Sequence, residues 1–380
     1  NIAERTAGNA EEFAFHVRNA DPKLVITLTD DIVLEGWEPC EFAAKIVGDG
    51  HSIKGLSKPL FTGLFGTVEN VALDGDLEGD GSKTTLDCHK IDFGIACSTN
   101  CGGRIANVEI RNFDIKVSNS TSYKSVGFFA GIIKDGAIIE NCTVAESCKM
   151  IQRNCYVGSI AGTVGCSDEF KASAVERALL AAIVSCTNRA ELNTWYTGSC
   201  NIGGILGNAN AYDSTMKPTT VISNCVNYGA FTSDLDSPGG YVGGILGSRD
   251  ANAPGSDNGR LEITDCANYG KIGPVAAGMT YGGCIGHTYR LANVHVLRFV
   301  NYGQVGDVLS PKGNAITGGS SGGFIGYAQD GYGGNPIVFT DSANYGDVYG
   351  FTRAAGFFDQ FSPNTGHPET KCVAYNCANY

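Results

Sequence analysis

Residues 203–229 read Gly-Gly-Ile-Leu-Gly-Asn-Ala-Asn-Ala-Tyr-Asp-Ser-Thr-Met-Lys-Pro-Thr-Thr-Val-Ile-Ser-Asn-Cys-Val-Asn-Tyr-Gly. Two motifs lie in this stretch, and both recur. Asn-Tyr-Gly appears at Asn227, Asn268, Asn301 and Asn344, and the chain ends on Asn379-Tyr380; the gaps are 41, 33, 43 and 35 residues. The pairs Asn224-Cys225, Asp265-Cys266, Asp341-Ser342 and Asn376-Cys377 precede it at a fixed distance. The glycine motif returns at Gly243–Gly247, Gly282–Gly286 and Gly322–Gly326. Weaker copies lie at Thr62–Gly66, Gly127–Gly131, Gly158–Gly162 and Ala355–Phe358, and Ile91–Val117 is the least clear unit. This gives about nine units from roughly residue 60 onward.

Each unit has one order: a short apolar strand between glycines, a variable loop (Ser248–Arg260, Gln329–Asn335), an alternating β stretch, the Asn-Tyr-Gly turn, and a short exit strand. A unit of this size cannot bury its apolar residues alone, whereas stacked copies bury them in one continuous core. Asparagine tolerates the left-handed conformation, and an amide can bond to the amides above and below it. The expected fold is therefore a right-handed parallel β-helix, or β-solenoid, of about ten coils, at about 4.8 Å per coil. Residues 1–60 would form the N-terminal cap and first coils, and residues 61–380 the repeated coils of one continuous solenoid. Asn9 and Glu12 suggest a capping box for a short helix over Glu11–Asn19 that places Phe13, Ala14 and Val17 on one face. Such a helix would cover the open end of the core. Lys171–Ala182 reads as the strand of an irregular coil in preference to a short helix inserted in a coil.

Composition narrows the function. The 380 residues carry a net charge of -12, with lysine and arginine scattered, which argues against a nucleic-acid partner. No apolar run reaches the length of a membrane span. Glycine accounts for 52 residues, about twice average usage, without a collagen period. The Gly-Gly-Ile-Leu-Gly motif lacks the spacing and the following Lys-Ser/Thr of a phosphate loop. The 15 cysteines are many for a reduced cytosolic chain. Asn119 and Asn141 each begin an N-glycosylation triplet. The absence of an initiator Met and the ending inside a repeat suggest a mature or internal piece of a longer protein.

The N-terminal segment carries a family likeness. Phe13 to Leu64 combines a short helix, Leu28-Thr29-Asp30-Asp31-Ile32-Val33-Leu34, a Trp37-Glu38-Pro39 corner, Val47-Gly48-Asp49-Gly50-His51-Ser52-Ile53-Lys54-Gly55-Leu56, and Leu64-Phe65-Gly66. It resembles the first coils of bacterial and protist surface proteins with GLUG-type repeats, and the later units are similar to the repeats themselves. The resemblance implies a right-handed parallel β-helix in a secreted or surface-anchored protein acting as an adhesin, stalk or display surface. It implies no catalytic residues. The cysteine content and the segment Cys148–Cys166 depart from the pattern.

Candidate sites are few. Cys142, Cys186, Cys225, Cys266 and Cys377 share one repeat position, with Phe299 and Ser342 replacing cysteine in two coils; in register they form either stacked buried thiols or disulfides. Cys97 and Cys101, with Cys88 and His89 nearby, suggest a loop disulfide or, less well spaced, zinc. Catalysis on polysaccharide would need clustered acids with a basic residue; the acids available are Asp30, Asp31, Asp49, Asp74, Asp76, Glu78 and Asp80. Asp49-Gly50-His51 reads as a tight turn rather than a catalytic histidine motif. Asp74–Asp80 is the one stretch that suggests calcium, although it lacks EF-hand spacing. Tyr228, Tyr269, Tyr302 and Tyr345 either close a corner or, if exposed, offer a surface to sugars.

The expected role is an extracellular, non-enzymatic adhesin, stalk or filament element, with no cofactor. Its partners would be surface proteins, glycans or copies of itself. The alternatives are a polysaccharide lyase or hydrolase, or a glycan-binding module, on the same fold.

Overall fold

The computed structural model describes residues 3–88, 91–117, 124–152, 156–166, 179–194, 200–210, 219–233, 239–250, 259–273, 279–289, 293–307, 319–329, 336–350, 353–362 and 372–380. One coil shows the plan. Asn201–Gly203 forms a first face, Leu206–Ala209 a second, Thr219–Ser223 a third, Val226–Asn227 a fourth and Phe231–Ser233 a fifth. Each strand pairs in parallel with its counterparts in the neighbouring coils. Among the described residues the five sheets so formed hold 7, 10, 12, 11 and 5 strands, from first face to fifth. The chain is thus a parallel β-helix, wound with the right-handed crossover that parallel strands take.

Alternation produces the core. On the third face Thr220 and Ile222 point inward and Val221 outward. Ile205, Leu206, Ile222 and Cys225 are fully buried. Further along, Phe324 stacks on Phe339 with ring centroids 4.6 Å apart. The rod thus has one continuous core, and its sheets run through residue 60 without a break.

Among the described residues the third-face sheet has twelve rungs, where about ten coils are expected from the repeats. Nine of its strands start at or after Thr67, as the repeat count requires; the other three are Ala3–Ala7, Leu24–Leu28 and Lys45–Val47. Ala3–Ala7 escapes sequence reading because four of its five side chains are exposed, so it carries no apolar alternation. Twelve rungs span about 50 Å. The least clear unit, Ile91–Val117, is a regular coil with strands Cys97–Cys101, Arg104–Ala106, Glu109–Arg111 and Phe113–Lys116. The segment Cys148–Cys166 likewise supplies strands Lys149–Gln152, Tyr156–Gly158 and Ala161–Val164. Leu179–Val184 is a third-face strand, while 171–178 lie outside the described residues.

The helix runs Ala10–Arg18, with the Asn9 side chain accepting from the Glu12 amide at 3.0 Å. Glu12 in turn accepts from the Gly8 amide, one residue before the position a standard capping box uses. Phe13 and Val17 are buried, and Phe13 packs 5.7 Å from Trp37. No helix among the described residues is long and apolar enough to cross a membrane.

Two corners correct the motif reading. Gly-Gly-Ile-Leu-Gly is not one strand: Gly203 ends the first face, Gly204 and Ile205 turn, and Leu206 begins the second. The Asn of Asn-Tyr-Gly is not left-handed; it ends the fourth-face strand. The left-handed residue lies three positions earlier, at Asn224, Asp265, Arg298, Asp341 and Asn376, with φ between 50° and 55°.

Candidate functional site

The fourth face and its two corners hold most of the repeated polar residues. At its inner edge Asn188, Asn227, Asn268, Asn301, Asn344 and Asn379 form a ladder. Each Nδ2 donates to the Oδ1 of the next at 2.7–2.8 Å. Within each of the first five, Nδ2 also donates to the carbonyl two residues on, as in Asn268 to Gly270 at 3.0 Å. The turn glycine of the other motif exists for this ladder. A Cβ on Gly244 would stand 2.2 Å from the Gly283 carbonyl oxygen and 2.6 Å from the Asn268 side chain. The two motifs of the sequence therefore interlock in space.

The cysteine position is a second ladder. Cys142, Cys186, Cys225 and Cys266 are buried, and Cys377 is part-exposed. Their Sγ atoms donate to the carbonyl two residues back, at 3.1–3.4 Å. Cys142, Cys186, Cys225 and Cys266 also approach a carbonyl of the preceding coil. Ser342 makes the same contact, to Thr340 at 2.9 Å. These five cysteines are free thiols, so the disulfide alternative is not what the structure holds. The in-register Cα spacing of about 4.8 Å would itself allow a disulfide; each Sγ is instead turned to backbone carbonyls. Burial holds the Cys186, Cys225 and Cys266 thiols well above their ordinary pKa.

The loop disulfide at Cys97 and Cys101 is also absent. The two residues end one extended strand, roughly 13 Å apart at the strand rise. Cys88 and Cys97 are buried, and His89 lies outside the described residues. Among the described residues no three His, Cys, Asp or Glu side chains gather at metal-holding distance. The acidic run proposed for calcium spends its carboxylates locally. Asp76 accepts from the Gly81 amide at 2.8 Å and the Gly79 amide at 2.7 Å, which lowers its pKa. Asp74 accepts from Asn112 Nδ2 at 2.8 Å and Arg111 Nε at 2.9 Å.

A shallow cleft opens on the fourth face near the N-terminal end, lined by Asp31, Ser52, Asn70, Asn107, Glu109 and Arg111. Partial burial pushes Asp31 up, but bonds from Ser52 and the charges of Lys54 and His51 bring it below the usual carboxylate value. His51 Nδ1 stands 3.8 Å from Asp31. Asp49 and Gly50 both take positive φ, so this segment is the turn expected of it. Arg111 is the basic residue of the cleft. Burial opposes its charge, yet Asp74 and Glu109 at 2.9 and 3.1 Å hold its pKa above the ordinary arginine value. A guanidinium so held is no proton acceptor.

The tyrosines stack. Ring centroids along Tyr228, Tyr269, Tyr302, Tyr345 and Tyr380 are 5.0, 4.7, 5.2 and 4.6 Å apart, with planes within 15°. Arg189 lies over the Tyr228 ring at 4.7 Å and closes the stack. Tyr228 to Tyr345 are 44–47% exposed, so the ring faces cover each other and the edges and hydroxyls meet solvent. Asn141 is exposed at the corner before the fourth face, with Thr143 part-exposed beyond it; Asn119 lies outside the described residues.

Some buried polar groups escaped sequence reading. Ser248 and Arg249, which read as loop, belong to the second-face strand Leu246–Asp250. Arg249 is 1% exposed and donates to the carbonyls of Ala209 and Asn210 at 3.1 Å. His287 is buried against Tyr241, with ring centroids 3.9 Å apart. An alternating pattern on the second face would have signalled both, but its strands are short and glycine-rich.

The fold and these ladders define a parallel β-solenoid. No family model matches the chain, and neither does any curated protein. Among solved structures, a Bacteroides ovatus protein described as a "putative immunoglobulin A1 protease" is similar at 18% identity and a TM-score of 0.48, over 71% of this chain and 77% of that one.

Proposed function

We propose that the chain is a non-catalytic β-solenoid that serves outside the cell as a shaft or adhesive surface, related to the GLUG-type repeat proteins. One observation supports this most: the repeated polar side chains are bonded to copies of themselves along the axis. The asparagine amides bond to one another, the tyrosine rings stack on one another, and the cysteine thiols bond to backbone carbonyls. Selection for stacking accounts for such residues without a reaction. A polysaccharide-active enzyme is the second reading, and the cleft of Asp31, Glu109 and Arg111 favours it, since it puts two carboxylates and a guanidinium cation in one groove.

The test is turnover. The purified chain is incubated with neutral and acidic polysaccharides, and new reducing ends and unsaturated products are measured. The expected outcome is none. Product formation that disappears in Arg111→Ala would establish the enzyme instead. Peptide mapping of the native protein should find glycan on Asn141; an unmodified Asn141 removes that support for an extracellular location.

A further inference from the structure

We propose that the trough along the outside of the fourth face, beside the tyrosine ladder, binds a linear uncharged glycan laid parallel to the solenoid axis. This rests on the surface reading above and names its ligand class. The floor of the trough is the outward column Val226, Ala267, Val300 and Ala343, which alternates with the buried asparagines and is part-exposed. A merely solvated face would carry polar side chains there. Small apolar residues instead leave a shallow recess. The tyrosine edges and hydroxyls form one wall. The corner residues Asn224, Asp265, Arg298 and Asp341 form the other.

The dimensions select the occupant. The walls stand four positions apart in each coil, at most roughly 13 Å, and the five-rung tyrosine stack runs roughly 20 Å. That strip is a few hundred Å² at most, well short of the ~800 Å² per partner of a stable protein interface. A single extended chain fits; a second copy of the protein does not. An extended peptide is a poor match, because its N–H and C=O groups would lie unpaired on the alanine and valine floor while the strands below are already paired on both sides. A pyranose chain instead sets C–H faces on the floor and turns hydroxyls to both walls.

Charge argues for an uncharged chain. Asp265 and Asp341 are exposed at the rim with Arg298 in the coil between them, and the protein carries a net charge of -12. The Arg298 guanidinium is committed to Asp265, with contacts at 2.5 and 2.7 Å. Because every coil repeats the same wall and floor at about 4.8 Å, contacts accumulate along a repeating ligand, and affinity should grow with its length.

The full chain is titrated calorimetrically with cello-, chito- and manno-oligosaccharides, from disaccharide to hexasaccharide. At least one series should bind, about tenfold or more tightly at the hexasaccharide than at the disaccharide. Tyr269→Ala with Tyr302→Ala should lose about tenfold or more. Ala267→Asp, on the part-exposed floor, should do the same with an unchanged circular dichroism spectrum. The proposal is overturned if no neutral hexasaccharide binds, if binding survives both variants, if polygalacturonate binds more tightly, or if the trough instead forms a dimer that Ala267→Asp dissociates. Cleavage of a bound hexasaccharide would sink the non-catalytic reading and leave the site standing. Failure to bind, with no turnover, would sink the site alone.

Discussion

At the scale of the residue, Asn268 shows how much one amide does. Its Oδ1 accepts from Asn227, and its Nδ2 donates to both Asn301 and Gly270, all in a fully buried position. A buried group stripped of its partner costs its full desolvation. Asn268→Ala should therefore destabilise the chain by about 1–3 kcal/mol, read as a lower urea midpoint. Asn268→Asp should be worse, because a carboxylate there would face the Oδ1 of Asn301 with no donor left to offer it. An unchanged midpoint for both would show that the ladder contributes nothing net.

At the scale of the element, the corners matter more than the strands. From Thr143 onward the fourth-face strands are two residues long, too short to hold register alone, so the turns on either side must place them. Gly244 makes one of those turns against the ladder. Gly244→Ala gains about 0.4–1 kcal/mol from a stiffer unfolded chain, but its methyl would meet the Gly283 oxygen at 2.2 Å. The clash should win, with a net loss of about 1–3 kcal/mol. Thermal unfolding checks this, and a raised Tm would refute the packing argument. The left-handed corner follows a different rule. Asn and Asp occupy it in most coils, as their short polar side chains allow. Arg298 tolerates it while its guanidinium pairs with Asp265 one coil away.

At the scale of the whole molecule, each coil leans on its neighbours, so a buried titratable group anywhere loads the stack. Burial lowers the pKa of His287 to about 4, against the partial support of a bond with Gln329. Its folded pKa lies below the unfolded value of about 6.5. The stability tied to its neutral form is full above that value and is lost as pH falls through 4. His287→Phe, which keeps a ring against Tyr241, should flatten the loss of Tm between pH 6.5 and 4. The thiol ladder has the opposite sign. Burial raises Cys186, Cys225 and Cys266 well above 9.0, so their contribution is intact below that pH and declines as pH rises beyond it. Tm should fall from pH 8 to pH 10, and less steeply in Cys225→Ser. Equal slopes in both proteins would show that the ladder does not titrate as described.

The sequence by itself determined the solenoid, because stacking demands the same residue at the same place in each coil, and Asn-Tyr-Gly and the cysteine position record that demand in plain repetition. It also determined the helix at Ala10–Arg18, through its cap and its Phe13 and Val17 stripe. Only the tertiary structure decided which side of each repeated residue faces what. The cysteines repeat equally well as thiols or as disulfides; the direction of each Sγ, toward backbone carbonyls, makes them thiols. The tyrosines repeat equally well buried or exposed, and only the ring geometry shows faces covered and edges open. The cleft of Asp31, Glu109 and Arg111 joins residues almost 80 positions apart. The small outward side chains Val226, Ala267 and Val300 look like core in a linear string. Their place between two ladders exists only once separate coils are stacked, since a trough is a property of neighbours that the chain order does not contain.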